Sequence, residues 1–306
     1  MSPFKGELED KKMKIFKQNF ENKVSTVKIG KENIVNIGGD SNLPFYEKEN
    51  FNPNVAIGFE ILDKVPVDRC EWSEEDFKNV WNNTGDWALK CKNDFGAKII
   101  CLYLLSSKLD EGATDEKHAI EAVKSVLDKT NLPLIVRGCG NADVDNKILP
   151  VICKEFKGEN LVIASVVLEN YREIALSALE NGHCIVAESP IDINIAKQLN
   201  IILKDLGFSE EKILCDPTTG AVGYGLEYCC SIMERARLAS LNGDIDLSAP
   251  FINFVGSESW RGKEAGEIGP LWESMTAQSC ILSGSSLVVM RDYKAVEMLK
   301  KSIDFK

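Results

Sequence analysis

Several residue types and sequence patterns are scarce or missing in this chain of 306 residues, and each absence excludes a class of function. Only two histidines occur: His118 falls in a predicted helix and His183 opens a predicted strand, so both are interpreted as structural. Neither Ser-His-Asp nor Cys-His catalysis is therefore supported. No G-x-G-x-x-G follows the first predicted strand, and no G-K-[ST] completes a P-loop, so two common nucleotide-binding signatures are absent.

Positive charge and long apolar runs are also in short supply. The chain has 36 Lys and Arg against 47 Asp and Glu, a net charge of −11. Such a balance disfavours nucleic acids and anionic membranes, because both are polyanions. Apolar runs such as IICLYLL (99–105) are too short to span a bilayer, and the first twenty residues lack the apolar core of a secretory signal. We expect a cytoplasmic protein with no membrane and no nucleic-acid partner.

Ten cysteines are present, yet no C-x-x-C pair or cluster with metal-ligand spacing occurs. Most of them lie inside apolar runs, where a thiol packs as a small hydrophobic side chain. We interpret them as reduced core residues, which is typical of a reducing compartment. The chain alone is not expected to hold a metal or an iron–sulfur centre. The cysteines are Cys70, Cys91, Cys101, Cys139, Cys153, Cys184, Cys215, Cys229, Cys230 and Cys280.

One pattern repeats from about residue 54 onwards: a short apolar run, a few polar residues, and then an amphipathic stretch of helical period. Near-continuous apolar runs of this length are typical of parallel strands that are covered on both faces. Among the predicted helices, one covers residues 74–95 behind an N-cap at Ser73, and another begins after Thr114 as N-cap. The eight predicted strands are 54–62, 97–105, 133–138, 161–167, 183–189, 212–216, 251–256 and 286–290.

Eight strands alternating with eight helices predict an α/β fold, a single closed (β/α)8 barrel. The competing fold is a doubly wound open sheet, which needs a reversal of strand order that one sequence does not reveal. No linker divides the repeat, so we predict an N-terminal extension over residues 1–50 and a barrel over residues 51–306. Within the extension, VSTVKIGKENIVNIGGD (24–40) alternates like a small hairpin, which we place over one end of the barrel.

Polar residues gather where the predicted strands end, and ligands of such barrels bind at the carboxyl ends of the strands. Glu188 and Asp216 end neighbouring strands, so they form either an acid–base pair or, as we favour, two acceptors of backbone N–H groups. The strand ends also carry Glu60, Asp63, Ser106, Ser107, Arg137, Asn141, Ser165, Glu169, Asn170, Ser189, Thr218, Thr219, Asn253, Arg291 and Asp292.

Two loops have a composition or a length that a simple turn does not require. CDPTTGAVGYGLEYCC (215–230) combines glycines, which permit a close backbone approach, with two threonines and a tyrosine, and this favours ligand binding over a plain turn. GSESWRGKEAGEIGP (256–270) exceeds the usual length of such loops and contains Trp260. That tryptophan is interpreted either as an interface aromatic or as a residue that packs back on the barrel rim.

Five stretches together resemble the small subunit of the corrinoid iron–sulfur protein, the delta subunit of the acetyl-CoA decarbonylase/synthase complex. The resemblance covers nearly the whole chain from Gly38, and the combination of motifs is specific, although any one alone is weak. The motifs are IGGDSNLPFY (37–46), NVAIGFEILD (54–63), AESPIDINIAKQLN (187–200), CDPTTGAVGYGLEY (215–228) and WRGKEAGEIGPLWE (260–273).

The resemblance implies a barrel related to pterin-binding methyltransferases and a heterodimer with a large subunit that carries the iron–sulfur cluster. It implies a cobalt corrinoid shared between the two subunits, with no iron–sulfur cluster in this chain. The cobalt takes a methyl group from methyltetrahydrofolate through a methyltransferase and delivers it to acetyl-CoA synthase/CO dehydrogenase in the reductive acetyl-CoA (Wood–Ljungdahl) pathway. This chain is then a subunit of a methyl carrier, with catalysis of its own left open.

Strand-end position and resemblance together select ten residues as expected corrinoid contacts. We further expect no histidine on the binding face, hence no axial imidazole from this chain, which suits a base-off corrinoid. Two alternatives stay open: a pterin-dependent methyltransferase, in which Glu60, Asp216 and Asn253 hold the pterin, and a purely structural subunit. The expected contacts are Asp216, Thr218, Thr219, Gly220, Gly223, Tyr224, Glu188, Ser189, Asn253 and Ser257.

Overall fold

A computed structural model describes residues 20–44, 55–65, 74–261 and 268–303 of the chain. Eight parallel strands close into a barrel in the order β10-β3-β4-β5-β6-β7-β8-β9, which confirms the predicted (β/α)8 fold and rules out the open sheet. The barrel strands are β3 (Ala56–Leu62), β4 (Ile100–Tyr103), β5 (Leu134–Arg137), β6 (Val162–Val166), β7 (Cys184–Glu188), β8 (Ile213–Asp216), β9 (Phe251–Asn253) and β10 (Ser285–Met290).

Two hydrophobic cores hold the barrel together, because successive side chains of a strand point to opposite faces of the sheet. Cys101 and Ile135 belong to the core inside the barrel, whereas their neighbours Leu102 and Leu134 pack in the core beneath the helices. All four side chains are essentially inaccessible to solvent. Burial of both faces explains why the strands read as continuous apolar runs.

Helices follow the strands and cover the outside of the barrel. Two details differ from the sequence prediction. Asn83 caps a new helix by accepting a hydrogen bond from the Asp86 N–H, so the segment predicted as one helix divides into α1 and α2. Asp115, not Thr114, is the N-cap of α3. The helices are α1 (Glu74–Phe77), α2 (Thr84–Phe95), α3 (Glu116–Thr130), α4 (Ala142–Glu155), α5 (Tyr171–Asn181), α6 (Ile193–Asp205), α7 (Leu226–Leu241), α8 (Val255–Ser259), α9 (Gly269–Leu282) and α10 (Tyr293–Ile303).

A hairpin of β1 (Thr26–Ile29) and β2 (Val35–Gly38) closes the end of the barrel where the strands begin. The two strands are antiparallel, as predicted. Val27, Ile29 and Ile37 are fully buried and belong to the same core as the side chains inside the barrel. The hairpin therefore plugs the amino-terminal end of the barrel and leaves the opposite end for a site. The division predicted at residues 50 and 51 lies outside the described residues.

The cysteines within the described residues are all free, and all but Cys230 are buried. Their predicted packing as core residues is confirmed. Burial raises the pKa of the Cys153 thiol to about 12, so this thiol is unreactive. His183 is buried between the Leu161 N–H and the Cys153 carbonyl, at 3.1 and 2.9 Å, which confirms its structural role. None of the helices in the described part of the chain is long and apolar enough to cross a bilayer.

Candidate functional site at the barrel mouth

The carboxyl ends of the eight parallel strands surround one mouth, and a buried charge cluster lies on one side of it. Glu60 of β3 is 2% exposed, and its carboxylate contacts the guanidinium groups of Arg137, at 3.4 Å, and Arg291. Ser257 of α8 lies within 2.9 Å of Glu60 Oε2 and 2.5 Å of an Arg137 nitrogen. The four side chains come from four elements distant in sequence, so only closure of the barrel brings them together.

Arg137 ends β5 and contacts side chains from other strand ends of the mouth. Its guanidinium lies 4.2 Å from the ring centroid of Phe254 and 5.1 Å from that of Tyr103, distances typical of cation–π contacts. The same residue lines a cavity of about 330 Å³ between the ends of β4 and β7. Arg137 thus holds the charge cluster on one side and forms the wall of a cavity on the other.

Glu188 and Asp216 lie directly opposite each other at the ends of β7 and β8. Burial, reinforced by the Glu188 carboxylate, raises the pKa of Asp216 well above its ordinary value. Asp216 accepts a hydrogen bond from the Thr219 hydroxyl at 3.3 Å, and the described residues place no backbone donor on either carboxyl group. The favoured interpretation, that both acids accept backbone N–H groups, is therefore wrong for the described part of the chain.

Thr219 and Asn253 form a buried polar layer beneath this pair. The Thr219 hydroxyl oxygen accepts hydrogen bonds from Asn253 Nδ2, at 3.1 Å, and from the Phe254 N–H, at 3.0 Å. Asn253 is fully buried, and its Oδ1 has no hydrogen-bond partner among the described residues. Both residues lie below the surface of the mouth and support the residues above them.

The loop between β8 and α7 reaches from this buried layer to the surface. Thr218 has a left-handed backbone with φ 61°, and its hydroxyl donates to the Ser189 carbonyl at 2.7 Å. Gly220 packs so tightly on Gly225 that an added Cβ would lie 2.6 Å from its carbonyl group. Tyr224 is 55% exposed and stacks on Trp272, with 5.8 Å between the ring centroids.

The ten residues predicted as contacts thus separate by depth. Ser189, Asp216, Thr219, Gly220 and Asn253 are buried at the mouth. Glu188, Thr218 and Ser257 are half-buried, and Gly223 and Tyr224 are exposed. Arg137 lines the cavity but was not among the ten predicted contacts. Its charge at the end of an apolar run was the sequence feature that could have identified it. Ser257 lies in the Glu60 cluster and does not contribute to the β8–α7 loop.

Glu273 is a mouth residue that sequence reasoning missed. It lies on α9, fully buried, and accepts hydrogen bonds from Trp260 Nε1 and the Arg291 N–H, both at 2.6 Å, and from the Asp292 N–H at 3.2 Å. Trp260 is 6% exposed and packs against Gly269, so its packing on the barrel rim is confirmed. Residues 262–267 of the same loop lie outside the described residues. An acid on an otherwise apolar helix was the available signal.

His118 corrects one expectation. It lies in the first turn of α3, which begins at the mouth end of the barrel, and its Nε2 is 3.6 Å from Asp63 Oδ2. Ser106 contacts the same carboxylate through its backbone N–H, at 2.9 Å, and through its hydroxyl, at 2.5 Å. The prediction that this face carries no histidine is therefore wrong, because the turn after β4 returns the start of α3 to the rim. His118 does not line the 330 Å³ cavity.

Comparisons with known proteins agree with the motifs noted in the sequence. The family model described as "CO dehydrogenase/acetyl-CoA synthase delta subunit" matches residues 26–301. The acetyl-CoA decarbonylase/synthase complex subunit delta of Archaeoglobus fulgidus is 31% identical, over 97% of this chain and 71% of that protein. The subunit delta of Methanothermobacter thermautotrophicus is also 31% identical, over 93% of this chain and 76% of that protein.

The fold is similar to that of dihydropteroate synthases, which are pterin-binding barrels. A dihydropteroate synthase from Coxiella burnetii, solved in complex with pteroic acid, superposes with a TM-score of 0.58. The match covers 92% of this chain and 98% of that chain, at 12% sequence identity. Likeness at this level of identity establishes the barrel fold alone.

Proposed function

Because this chain belongs to the CO dehydrogenase/acetyl-CoA synthase delta subunit family, we propose that it is the corrinoid-binding subunit of a methyl carrier. Relatives are named as subunits of an acetyl-CoA decarbonylase/synthase complex, so partners within that complex are supported. The finer assignment is a heterodimer with a large iron–sulfur subunit, equivalent to the small subunit of the corrinoid iron–sulfur protein. The carrier would receive a methyl group from methyltetrahydrofolate through a methyltransferase and pass it to acetyl-CoA synthase.

The polar groups at the barrel mouth suit a broad cofactor fringed with amides. This observation supports corrinoid binding independently of family membership. Hydroxyl, amide and carboxylate groups surround a cavity of about 330 Å³, the lower end of the range for small-molecule sites. A corrin ring with its side arms exceeds that volume, so it would lie across the mouth and insert only a side arm. The exposed Gly223 and Tyr224 beside the mouth suit such a surface.

Within this proposal the cobalt of the bound corrinoid supplies the site that accepts and releases the methyl group. The chain's own residues hold and shield the cofactor. The cluster around Glu60 fixes Arg137, and Thr219 fixes the floor beneath Asp216. Such pre-organisation keeps the mouth in one geometry before the cofactor arrives, which reduces the cost of ordering it on binding.

The first test is the visible absorption spectrum of the chain, tagged and purified from its native host. We expect corrinoid absorption with an iron–sulfur shoulder that co-elutes with a larger subunit. A colourless chain that elutes with its intact complex would contradict the proposal. Retention of all the corrinoid by the large subunit alone, with unchanged affinity, would favour a purely structural role instead.

A pair of variants tests the loop after β8. Thr219→Val should lower the free energy of unfolding by about 2 kcal/mol, because the Phe254 N–H then lacks its acceptor. Thr218→Val removes only the bond to the Ser189 carbonyl and should cost about 1 kcal/mol while weakening corrinoid retention. Urea unfolding and corrinoid absorbance per chain measure the two effects, with Thr218→Ser as the control that keeps the hydroxyl. Unchanged retention in Thr218→Val would remove Thr218 from the proposed contacts.

A pterin-dependent methyltransferase is a second candidate, because the cavity beside Arg137 is large enough for a small bicyclic heterocycle. Glu60, however, is enclosed by two arginines and Ser257, and Asn253 lies in the buried layer. Neither is positioned to hold a pterin without rearrangement. Titration of the isolated chain with methyltetrahydrofolate decides the matter, since saturable binding would support an enzyme and its absence would count against one.

A further inference from the structure

The cavity at the mouth has walls of a definite chemistry. It lies among the ends of β4, β5, β6 and β7 and encloses about 330 Å³. Its polar lining includes Arg137, Ser165, Glu169, Asn170 and Glu188. Neighbouring strands in a sheet lie about 4.8 Å apart, so groups on adjacent strand ends lie within reach of one small ligand.

Of these lining residues, Ser165, Glu169, Asn170 and Glu188 carry polar side-chain groups that have no partner among the described residues. The half-buried Glu188 carboxylate has no hydrogen-bond or ion-pair partner among the residues that the structure describes. Asn170 is 3% exposed, and its Oδ1 accepts the Val167 N–H at 2.9 Å. That bond fixes the orientation of the amide, so Nδ2 is left as a donor without a partner in the described part of the chain. Glu188 therefore offers an unused acceptor, and the nearly buried Asn170 offers an unused donor.

Charge and geometry exclude other ligands. An anion would meet the carboxyl groups of Glu169, Glu188 and Asp145, whereas the one arginine in the lining, Arg137, already contacts the Glu60 carboxylate. A divalent metal needs several anionic or imidazole ligands together, and the described residues contain no group of three or more that could hold one. An uncharged group that both donates and accepts hydrogen bonds matches the unused pair.

We propose that this cavity binds a planar N–H₂ group with a neighbouring acceptor, such as a primary amide, whose N–H donates to Glu188 and whose acceptor receives Asn170 Nδ2. The inference rests on the proposed function, because it names what the mouth recognises. Two sources supply this chemistry: a side-arm amide of a corrinoid, or the amino-pyrimidinone edge of a pterin. Hydrogen bonds to an ionised group are the stronger kind, so Glu188 should dominate recognition.

The test uses the chain together with its complex partners, stripped of bound cofactor. Wild type, Glu188→Gln and the control Glu173→Gln are titrated spectroscopically with cobinamide and with a cobinamide whose side-arm amides are hydrolysed to carboxylates. A parallel titration uses tetrahydrofolate. Glu173 is exposed on α5 and does not line the cavity, so its variant removes the same charge elsewhere. Thermal unfolding of each variant verifies its fold.

We expect Glu188→Gln to weaken cobinamide binding about tenfold, whereas Glu173→Gln leaves it unchanged. Wild type should prefer the amide form over the carboxylate form, and this preference should shrink in Glu188→Gln, because glutamine is able to donate to a carboxylate. A loss confined to tetrahydrofolate would support the same chemistry with a pterin as its source. Equal affinities of wild type and Glu188→Gln for every probe that binds would overturn the inference while leaving the proposed function intact. Failure of wild type to bind any probe would overturn both.

Discussion

Glu60→Gln should lower the free energy of unfolding by about 3 to 5 kcal/mol, the cost of breaking a buried ion pair by removing one partner. Glu60 is the only carboxylate in contact with both Arg137 and Arg291 in the described part of the chain. Neutralising it removes the negative charge that both largely buried guanidinium groups contact, while their desolvation cost remains. Urea unfolding followed by circular dichroism measures the effect.

Two further variants make this prediction specific. Glu159→Gln also removes a carboxylate from an ion pair, but the partner Lys31 is on the surface, so stability should hardly change. The double variant Glu60→Gln/Arg291→Met removes the Arg291 cation together with the Glu60 carboxylate that it contacts. It should lose less than the sum of its single changes, since contacting charges are coupled. A Glu60→Gln variant as stable as wild type would show that the cluster contributes nothing to folding.

The second large effect concerns the pH dependence of stability and originates at Glu273. Burial raises the pKa of Glu273 from its ordinary 4.5 to about 8, although the donors Trp260, Arg291 and Asp292 act in the opposite direction. The folded chain therefore holds this proton more tightly than the unfolded chain. Between about pH 4.5 and 8 the unfolded state loses the proton first, so stability falls as the pH rises. The loss is complete above about pH 8 and reaches at most about 5 kcal/mol.

Urea unfolding at intervals from pH 5 to 8.5 measures this slope. Glu273→Gln does not titrate, so its stability should fall less steeply with pH than that of wild type. Glu273→Gln should also be less stable than wild type, because the NH₂ group of the glutamine would face N–H donors that bond to a carboxyl oxygen in wild type. Burial also raises the pKa values of Asp63 and Asp145, so these residues too make stability fall as the pH rises. The contribution of Glu273 is therefore the difference in slope between wild type and Glu273→Gln. Equal slopes of stability against pH in wild type and Glu273→Gln would contradict the prediction. The control is Glu121→Gln, which removes an exposed carboxylate on α3.

Glu60 and Glu273 together explain why the mouth has a fixed shape. Glu273 holds the backbone after β10 and the Trp260 ring, and the side chain of Arg291 then reaches Glu60. Glu60 in turn holds Arg137, whose other side lines the cavity. A chain of buried contacts thus connects α9 to the cavity wall, and each link is a group whose desolvation must be offset by its partner.

Sequence reasoning predicted the strands and the barrel well because period and apolar content are local properties. Seven of the eight predicted segments contain a whole barrel strand, the eighth begins one residue after the start of β10, and the hairpin lies where alternation placed it. The N-cap of α3 was predicted at Thr114, but it is the next residue, Asp115. Either side chain is able to accept a free N–H at the start of a helix, so sequence alone did not distinguish them. The predicted interaction of Glu188 and Asp216 with backbone donors was wrong for a different reason, because the register of β7 and β8 aligned the two acids.

The sequence by itself determined the class of fold, the number of strands, the family and the end of the barrel at which polar residues gather, because each follows from patterns along the chain. Only the tertiary structure decided which of those residues are engaged. Glu60 and Ser257 are 197 positions apart yet hydrogen-bonded. The Glu188 carboxylate at the end of β7 and the Asn170 Nδ2 at the N-cap of α5 line one cavity, and neither has a partner among the described residues. Closure of the barrel sets these distances through strand register and burial, and neither quantity is encoded in the spacing of residues along a single segment.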